Sequence, residues 1–395
     1  MTARRSAAAM ALAAAALQGA FGLMTLGRRF FFGRQNPTQF ASDVALFFTY
    51  ASKLLDGQVP YRDYPIEYPL AALPLFIIPR MFASTLTSYQ GVFAVEMLAF
   101  NAWALWLVAD RVAREGGAHL VAGRLGWYTL VLAVTCPLLM ARFDLAPMAV
   151  AFAAAVAWEA GKPGLGGGLA GVGVLIKIFP GAAVLPAMFG SQRGKVRGWL
   201  SLGVTMAVGL AIWVALGGRA VGASLGYHVE RGLEVGSLYS GASIVLSRLT
   251  GEPLRTATLH TSTELVGRWP ERLAPLAFPL QLAAMALAVW MSRRRGGRDV
   301  PRFAGGALAA FVVFGKVFSP QYVAWLFPFL AVQGGRVGYW GRFVFLAAVV
   351  ATTLLYPWAF ARLAALDGDH ILALLIVRNG LLLLLWAILL FGPED

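Results

Sequence analysis

The sequence predicts an all-α, polytopic integral membrane protein, and three observations predict it. Apolar residues make up 59% of the 395 and charged residues 13%, against about 25% charged in ordinary soluble domains. Mean hydropathy is +0.68. The apolar runs are long, recurrent and continuous rather than alternating, which excludes a soluble globular enzyme, a disordered chain and a β-barrel. The single cysteine, Cys136, sits in an apolar run, so neither an internal disulfide nor a thiolate metal cage can form. A formal charge of +14 reads as anchoring of cytoplasmic loops and contact with anionic membrane lipids. No nucleic-acid-binding motif accompanies it, so no nucleic-acid partner is expected.

The run 6–27 follows Arg4 and Arg5, and its length favours an uncleaved first helix over a signal peptide. Further runs lie near 88–110, 125–141, 144–160, 199–216, 273–292, 302–317, 343–360 and 370–391. Three basic clusters set the orientation: Arg111, Arg114 and Arg124; Arg193, Lys195 and Arg197; and Arg293, Arg294, Arg295 and Arg298. All are expected on the cytoplasmic side. Residues 28–87 must then lie outside. The stretch 66–82, with prolines at 69, 74 and 79, is expected to be re-entrant or interfacial, because each proline removes a backbone donor.

The stretch 166–190 has cytoplasmic charge on both sides, so it crosses twice or not at all. Two half-spans of about 12 residues, roughly 18 Å each, broken at 177–180, satisfy this. Broken backbone at that depth is tolerated only inside protein or beside a wet cavity. The pair 302–317 and 321–333 repeats the device around 316–320. The expected count is about twelve membrane segments, ten long and two short, with both termini cytoplasmic, in a single integral domain over 1–395. The outer loop 28–87 carries a juxtamembrane helix at about 42–56. There Val44, Phe47, Phe48, Ala51, Leu54 and Leu55 share one face at helical spacing. A second outer loop covers about 217–272.

Ionisable groups near apolar spans are functional candidates, because they cost several kcal/mol unless paired or wet. Asp43 opens the outer helix. It is read as an N-cap beside Ser42, or as a carboxylate that takes a proton at the membrane boundary. The stretch 56–69 crowds Tyr61, Arg62, Asp63, Tyr64 and Glu67 between stiffening prolines. Tyrosines beside carboxylates hold sugar rings, and the same composition also makes an aromatic interfacial belt. Arg142 and Asp144 flank Phe143, and their structural reading is a mutual pair tying two helices. Lys177 and Lys316 each sit among apolar residues beside a proline break, where an anionic headgroup would satisfy them. Snorkelling is the structural alternative. His228 and Arg231 share one helical face and could hold a phosphate, or sit in an ordinary solvated loop. The four histidines show no zinc spacing, so no metal is assigned. No P-loop or GxGxxG fingerprint is present, so no nucleotide cofactor is expected, and either an activated group comes from the lipid phase or the protein only transports.

The ordered set of 43–50, 57–70, 142–145, 177–180, 227–237 and 316–328 resembles glycosyltransferase family 87 of the GT-C superfamily, over about residues 40–330. The family usually reads Glu-Tyr-Pro-Pro, and here Leu70 replaces the second proline. The resemblance implies the GT-C fold and an enzyme of the cytoplasmic (inner) membrane. The implied donor is a polyprenyl-monophosphate sugar, mannose in typical members, and the acceptor a glycolipid or glycan on the extracytoplasmic side. Members vary in sugar and acceptor. The implied reaction is inverting displacement with Asp43 as general base. Lys177, Lys316, Arg231, His228 and Arg142 are the cations for the leaving phosphate. Tyr61, Arg62, Asp63, Tyr64, Glu67 and Tyr322 are the sugar and acceptor side. The alternative class is a transporter or flippase of a lipid-linked sugar, because broken helices with buried charge also mark transport sites.

Overall fold

A computed structural model describes residues 2–32, 43–190, 194–218, 231–259 and 262–393, with the side chains of 2–4 and 26–32 left aside. The described residues form sixteen α-helices and one small hairpin. The helices are α1 Thr2–Phe32, α2 Asp43–Leu55, α3 Leu73–Met81, α4 Leu86–Val112, α5 Ala118–Leu139, α6 Leu145–Glu159, α7 Pro163–Ile176, α8 Pro180–Gly190 and α9 Lys195–Gly217. They continue with α10 Leu238–Thr250, α11 Arg268–Arg294, α12 Val300–Val313, α13 Phe327–Ala331, α14 Gly335–Thr353, α15 Phe360–Ala364 and α16 Asp369–Phe391. Strands β1 Arg255–Leu259 and β2 Ser262–Val266 pair antiparallel between α10 and α11. The protein is an all-α, multi-pass membrane protein.

Seven helices are long and apolar enough to cross a membrane, and five further apolar helices are shorter. The expected ten long and two short segments therefore divide differently. Leu145–Glu159 and Val300–Val313 are short because they are inner helices, buried almost all round. Alanine and glycine make that burial possible by letting neighbouring backbones approach. At the α7–α9 crossing, a side chain on Gly167 would meet the Gly198 backbone at once. Buried polar groups tie α1, α4 and α5 together: Gln18 donates to Thr129 at 3.0 Å, and Tyr128 donates to Asn101 at 2.8 Å.

The bundle has two chemically different ends. At one, Arg111 of α4 grips Glu159 of α6 with bonds of 2.7 and 3.0 Å. Beside it, Arg302 donates to the carbonyls of Leu389 and Gly392, covering the last carbonyls of α16. Arg295 reaches Gly392 as well, at 3.1 Å. Arg111 and Arg295, from two of the three basic clusters, thus share one end with Arg302. At the opposite end α1 gives way to α2, α5 turns into α6, and α7 breaks before α8. The second break differs from the first. After α12 the chain returns as a 3-10 helix, Pro320–Leu326, followed by only one short turn of α-helix.

Candidate functional site

Helix α2 is amphipathic as its spacing predicts. Val44, Phe47 and Ala51 are buried, and Asp43 and Lys53 complement the helix dipole at its two ends. Phe47 stacks on Phe76 of α3 at 4.2 Å and meets Phe143 edge-on at 5.6 Å. This packing fixes the helix over the turn between α5 and α6. The Asp43 carboxylate consequently forms an ion pair with Arg142. Ser42, the possible cap, lies outside the described residues.

Arg142 and Asp144 each take their ion pair outside the tripeptide, not with each other. Asp144 is buried to 1% exposure. One of its oxygens accepts from Lys177 Nζ at 2.8 Å and from Trp325 Nε1 at 2.7 Å. The reason is local geometry. Lys177 ends α7 in extended backbone, which turns its side chain back toward the start of α6. Lys177 Nζ also lies 4.7 Å from the Phe143 ring centre and 5.5 Å from those of Tyr322 and Trp325, an aromatic enclosure suited to a cation. Trp325 stacks on Phe179 at 3.6 Å and on Tyr322 at 4.1 Å. Asp144 therefore satisfies Lys177 from within the protein, where the sequence reading looked to an anionic headgroup. Arg142 also lies within electrostatic range of Asp144 and Tyr322, so Asp43, Arg142, Asp144, Lys177 and Tyr322 form one cluster.

The stretch 56–69 folds as a braced loop. Arg62 and Asp63 form a bidentate pair, with bonds of 2.9 and 3.0 Å. Asp63 also accepts from the Val59 backbone at 2.7 Å. The Arg62 guanidinium and that amide hold the Asp63 carboxyl down at about 2. Tyr61 donates to the Tyr68 carbonyl and Tyr64 to the Tyr50 carbonyl. Burial pushes the Tyr61 phenol up, and Tyr64 is pushed up to about 12. These four residues stabilise the loop. Its other end reaches the cluster: the Tyr68 ring meets Phe143 at 5.1 Å. Burial, then the bonded Glu67 and nearby Asp144, hold the Tyr68 phenol well above its usual range. Glu67 and Tyr322 thus border the centre, while Tyr61, Arg62, Asp63 and Tyr64 support its edge.

A second group surrounds Lys316, within electrostatic range of Glu264 and Arg231. Residue 228 lies outside the described residues, so the expected His228–Arg231 face has no described geometry. The 231–237 segment is laced to the break after α12. Glu234 N donates to the Lys316 carbonyl at 3.0 Å, and the Glu234 carboxylate accepts from Gly236 N at 2.9 Å and Phe318 N at 3.2 Å. Glu264, on β2, accepts from Gly232 N at 2.9 Å. A side chain at Gly232 would meet the Glu264 carboxylate, which would have to shift.

Beneath this segment lies Arg378, wholly buried in the middle of α16. It donates to the Gly236 carbonyl at 2.6 Å and stacks on Phe318 at 3.7 Å. Its Nε and Nη1 find no hydrogen-bond partner among the described residues. Tyr356 donates to Glu234 at 3.3 Å. Burial pushes the Glu234 carboxyl up to about 7, against the opposing pull of Arg378. Glu234, Glu264, Tyr356 and Arg378 were not singled out from sequence. An arginine inside the apolar run 370–391 met the same criterion as Lys177 and was the available signal.

The profile of glycosyltransferase family 87 matches residues 66–320. No curated protein and no solved structure gives a match. The matched stretch holds the 142–144 turn, Lys177 with its break, the Glu234 lacing and Lys316, while Asp43 precedes it and Tyr322 follows it. It takes in well over half of the chain, and on that match the chain belongs to glycosyltransferase family 87.

Proposed function

We propose that this membrane glycosyltransferase moves mannose from a polyprenyl-monophosphate donor to a lipid-linked or glycan acceptor. It does so on the extracytoplasmic side of the cytoplasmic membrane, with both termini inside, and the whole chain acts as one integral domain. The reading is carried by the Asp43–Arg142 pair abutting the Lys177–Asp144 pair where α7 breaks. In the proposed step the acceptor oxygen bonds to the anomeric carbon with inversion. The carbon–oxygen bond to phosphate breaks, and its electron pair leaves with the phosphate. The acceptor proton passes to Asp43, which its ion pair with Arg142 orients.

A phosphate monoester leaves as a dianion and needs cations rather than a proton. Lys316 and Arg231, with Glu264 as the one acid in their group, are the proposed cradle, and His228 adjoins Arg231 in sequence. Lys177 and Arg142, each paired with a carboxylate, fix the Asp43 cluster beside that cradle, and the broken helices border the isoprenoid path. Tyr322 and Glu67 face the sugar and acceptor, on a loop stiffened by Tyr61, Arg62, Asp63 and Tyr64.

Protein in lipid, supplied with labelled polyprenyl-phosphate mannose and a glycolipid acceptor, tests the reading. Asp43→Asn lowers turnover about 10²–10⁴-fold, the usual contribution of a general base, with folding intact. Full turnover by that variant removes Asp43 as the base. Lipid flipping without sugar transfer makes the protein a transporter.

A further inference from the structure

At the basic end, far from the Asp43 centre, α8, α9 and α11 leave a hollow of about 650 Å³. That lies within the roughly 300–1,000 Å³ of specific small-molecule sites. Its floor is one face of α9: Val196, Trp199, Leu200, Gly203, Val204 and Ala207. The small residues make the hollow, since a side chain added at Gly203 would meet nothing within 4 Å. Trp199 packs edge-on against Phe189 of α8 at 5.1 Å and walls one side. Among the described residues, charge enters at one end, from Lys195 and Arg293, both exposed. The first turn of α9 holds Lys195 and Arg197 and no acid. This arrangement opposes the helix dipole and is relieved by a nearby anion.

The dimensions select the occupant. From Lys195 to Ala207 the groove runs about 18 Å along α9. Half of a bilayer core is about 15 Å deep. A groove that is cationic at the surface, apolar below and one leaflet deep has the form of a single membrane phospholipid. We propose that this groove is a binding site for an anionic phospholipid of the leaflet at the basic end, its phosphate between Lys195 and Arg293 and an acyl chain along Gly203 and Ala207. The site is separate from the donor site and independent of the sugar transferred.

Trp199 reports on it. Protein in phosphatidylcholine nanodiscs receives small fractions of chain-brominated phosphatidylglycerol or chain-brominated phosphatidylcholine. The fluorescence difference between the parent and Trp199→Phe isolates the Trp199 signal. The brominated anionic lipid quenches that signal at a fraction roughly 30-fold lower, from about fivefold per cation. Lys195→Gln with Arg293→Gln erases the preference. Equal quenching by both lipids in the parent, or a preference that survives the double substitution, overturns the proposal. Gly203→Leu fills the hollow without touching the cations, and its Trp199 is quenched less by either lipid. Undiminished quenching in that variant overturns the groove as the acyl path. Stronger protection by a polyprenyl phosphate than by phosphatidylglycerol assigns the groove to the donor lipid and overturns the proposal too.

Discussion

The two proline breaks read alike in sequence and fold differently. Each has a lysine among apolar residues, with a proline three or four positions on. At the first, Lys177 is bound to a buried carboxylate and enclosed by aromatic rings, and the chain resumes as α-helix α8. At the second, Lys316 uses its carbonyl to dock the 231–237 segment, and its side chain lies in the field of Arg231 and Glu264. The chain there resumes as a 3-10 helix, and that helix supplies Tyr322 and Trp325 to the first lysine. One lysine is paired inside the fold, while the other lies in the field of Arg231 and Glu264 beside the docked 231–237 segment. The same local pattern thus serves cohesion at one break, and at the other it sits in the group proposed here to hold the donor phosphate.

The sharpest way to break this contrast is Asp144→Asn. Removing one partner of a buried pair typically costs 3–5 kcal/mol. Because Lys177 keeps 19% exposure, the loss is expected near the lower end, about 3 kcal/mol. Thermal unfolding in detergent reads it, and transfer falls with it. Adding Lys177→Met recovers part of the loss, because the uncompensated charge is gone. Additive losses would mean the two residues act separately. By contrast, Lys316→Gln should leave the unfolding midpoint nearly unchanged and lower transfer about 10²–10³-fold, as removal of a charge-stabilising donor does. A variant that unfolds without a specific effect on transfer would make Lys316 a second Lys177.

How much of this was legible follows from where the partners lie. The long helices could be read because their apolar runs are continuous, and α2 because Val44, Phe47 and Ala51 recur at helical spacing. The break at Lys177 was legible because charge and proline stand side by side. Its partner was not. Arg142 and Asp144 stand two apart in sequence and invite a mutual pair, yet Asp43 and Lys177 outcompete that pair through contacts set only by packing. The hairpin 255–266 escaped because its strands, Arg-Thr-Ala-Thr-Leu and Ser-Thr-Glu-Leu-Val, lack a clean apolar alternation. Arg378 escaped because one arginine disappears in the average over an apolar run.

The Lys316 side should also respond to pH. Glu234 has an ordinary value of 4.5, and burial raises it to about 7. A raised carboxyl binds its proton more tightly when folded. The stability this gives is fully present below pH 4.5 and is lost as pH rises to about 7, by up to about 1.4 kcal/mol per pH unit. Melting of the parent minus that of Glu234→Gln should decline across this window and level off above it. A flat difference would mean that Arg378 keeps Glu234 ionised throughout.

The smallest effect is expected at Arg62 and Asp63, and it separates support from contact. Their pair is exposed and closed on itself, and Asp63 braces the Val59 amide. Exposed pairs contribute little because water and salt screen them. Replacing both by alanine should leave the unfolding midpoint and the turnover number close to the parent's. The informative measurement is KM for the acceptor. If the loop only carries Glu67 to the cluster, KM stays near its starting value as well. A large rise in KM at constant turnover would show that an acceptor hydroxyl competes for the Asp63 carboxylate. The outer loop would then bind the acceptor directly, and the recognition surface would extend from Tyr322 out to the exposed rim.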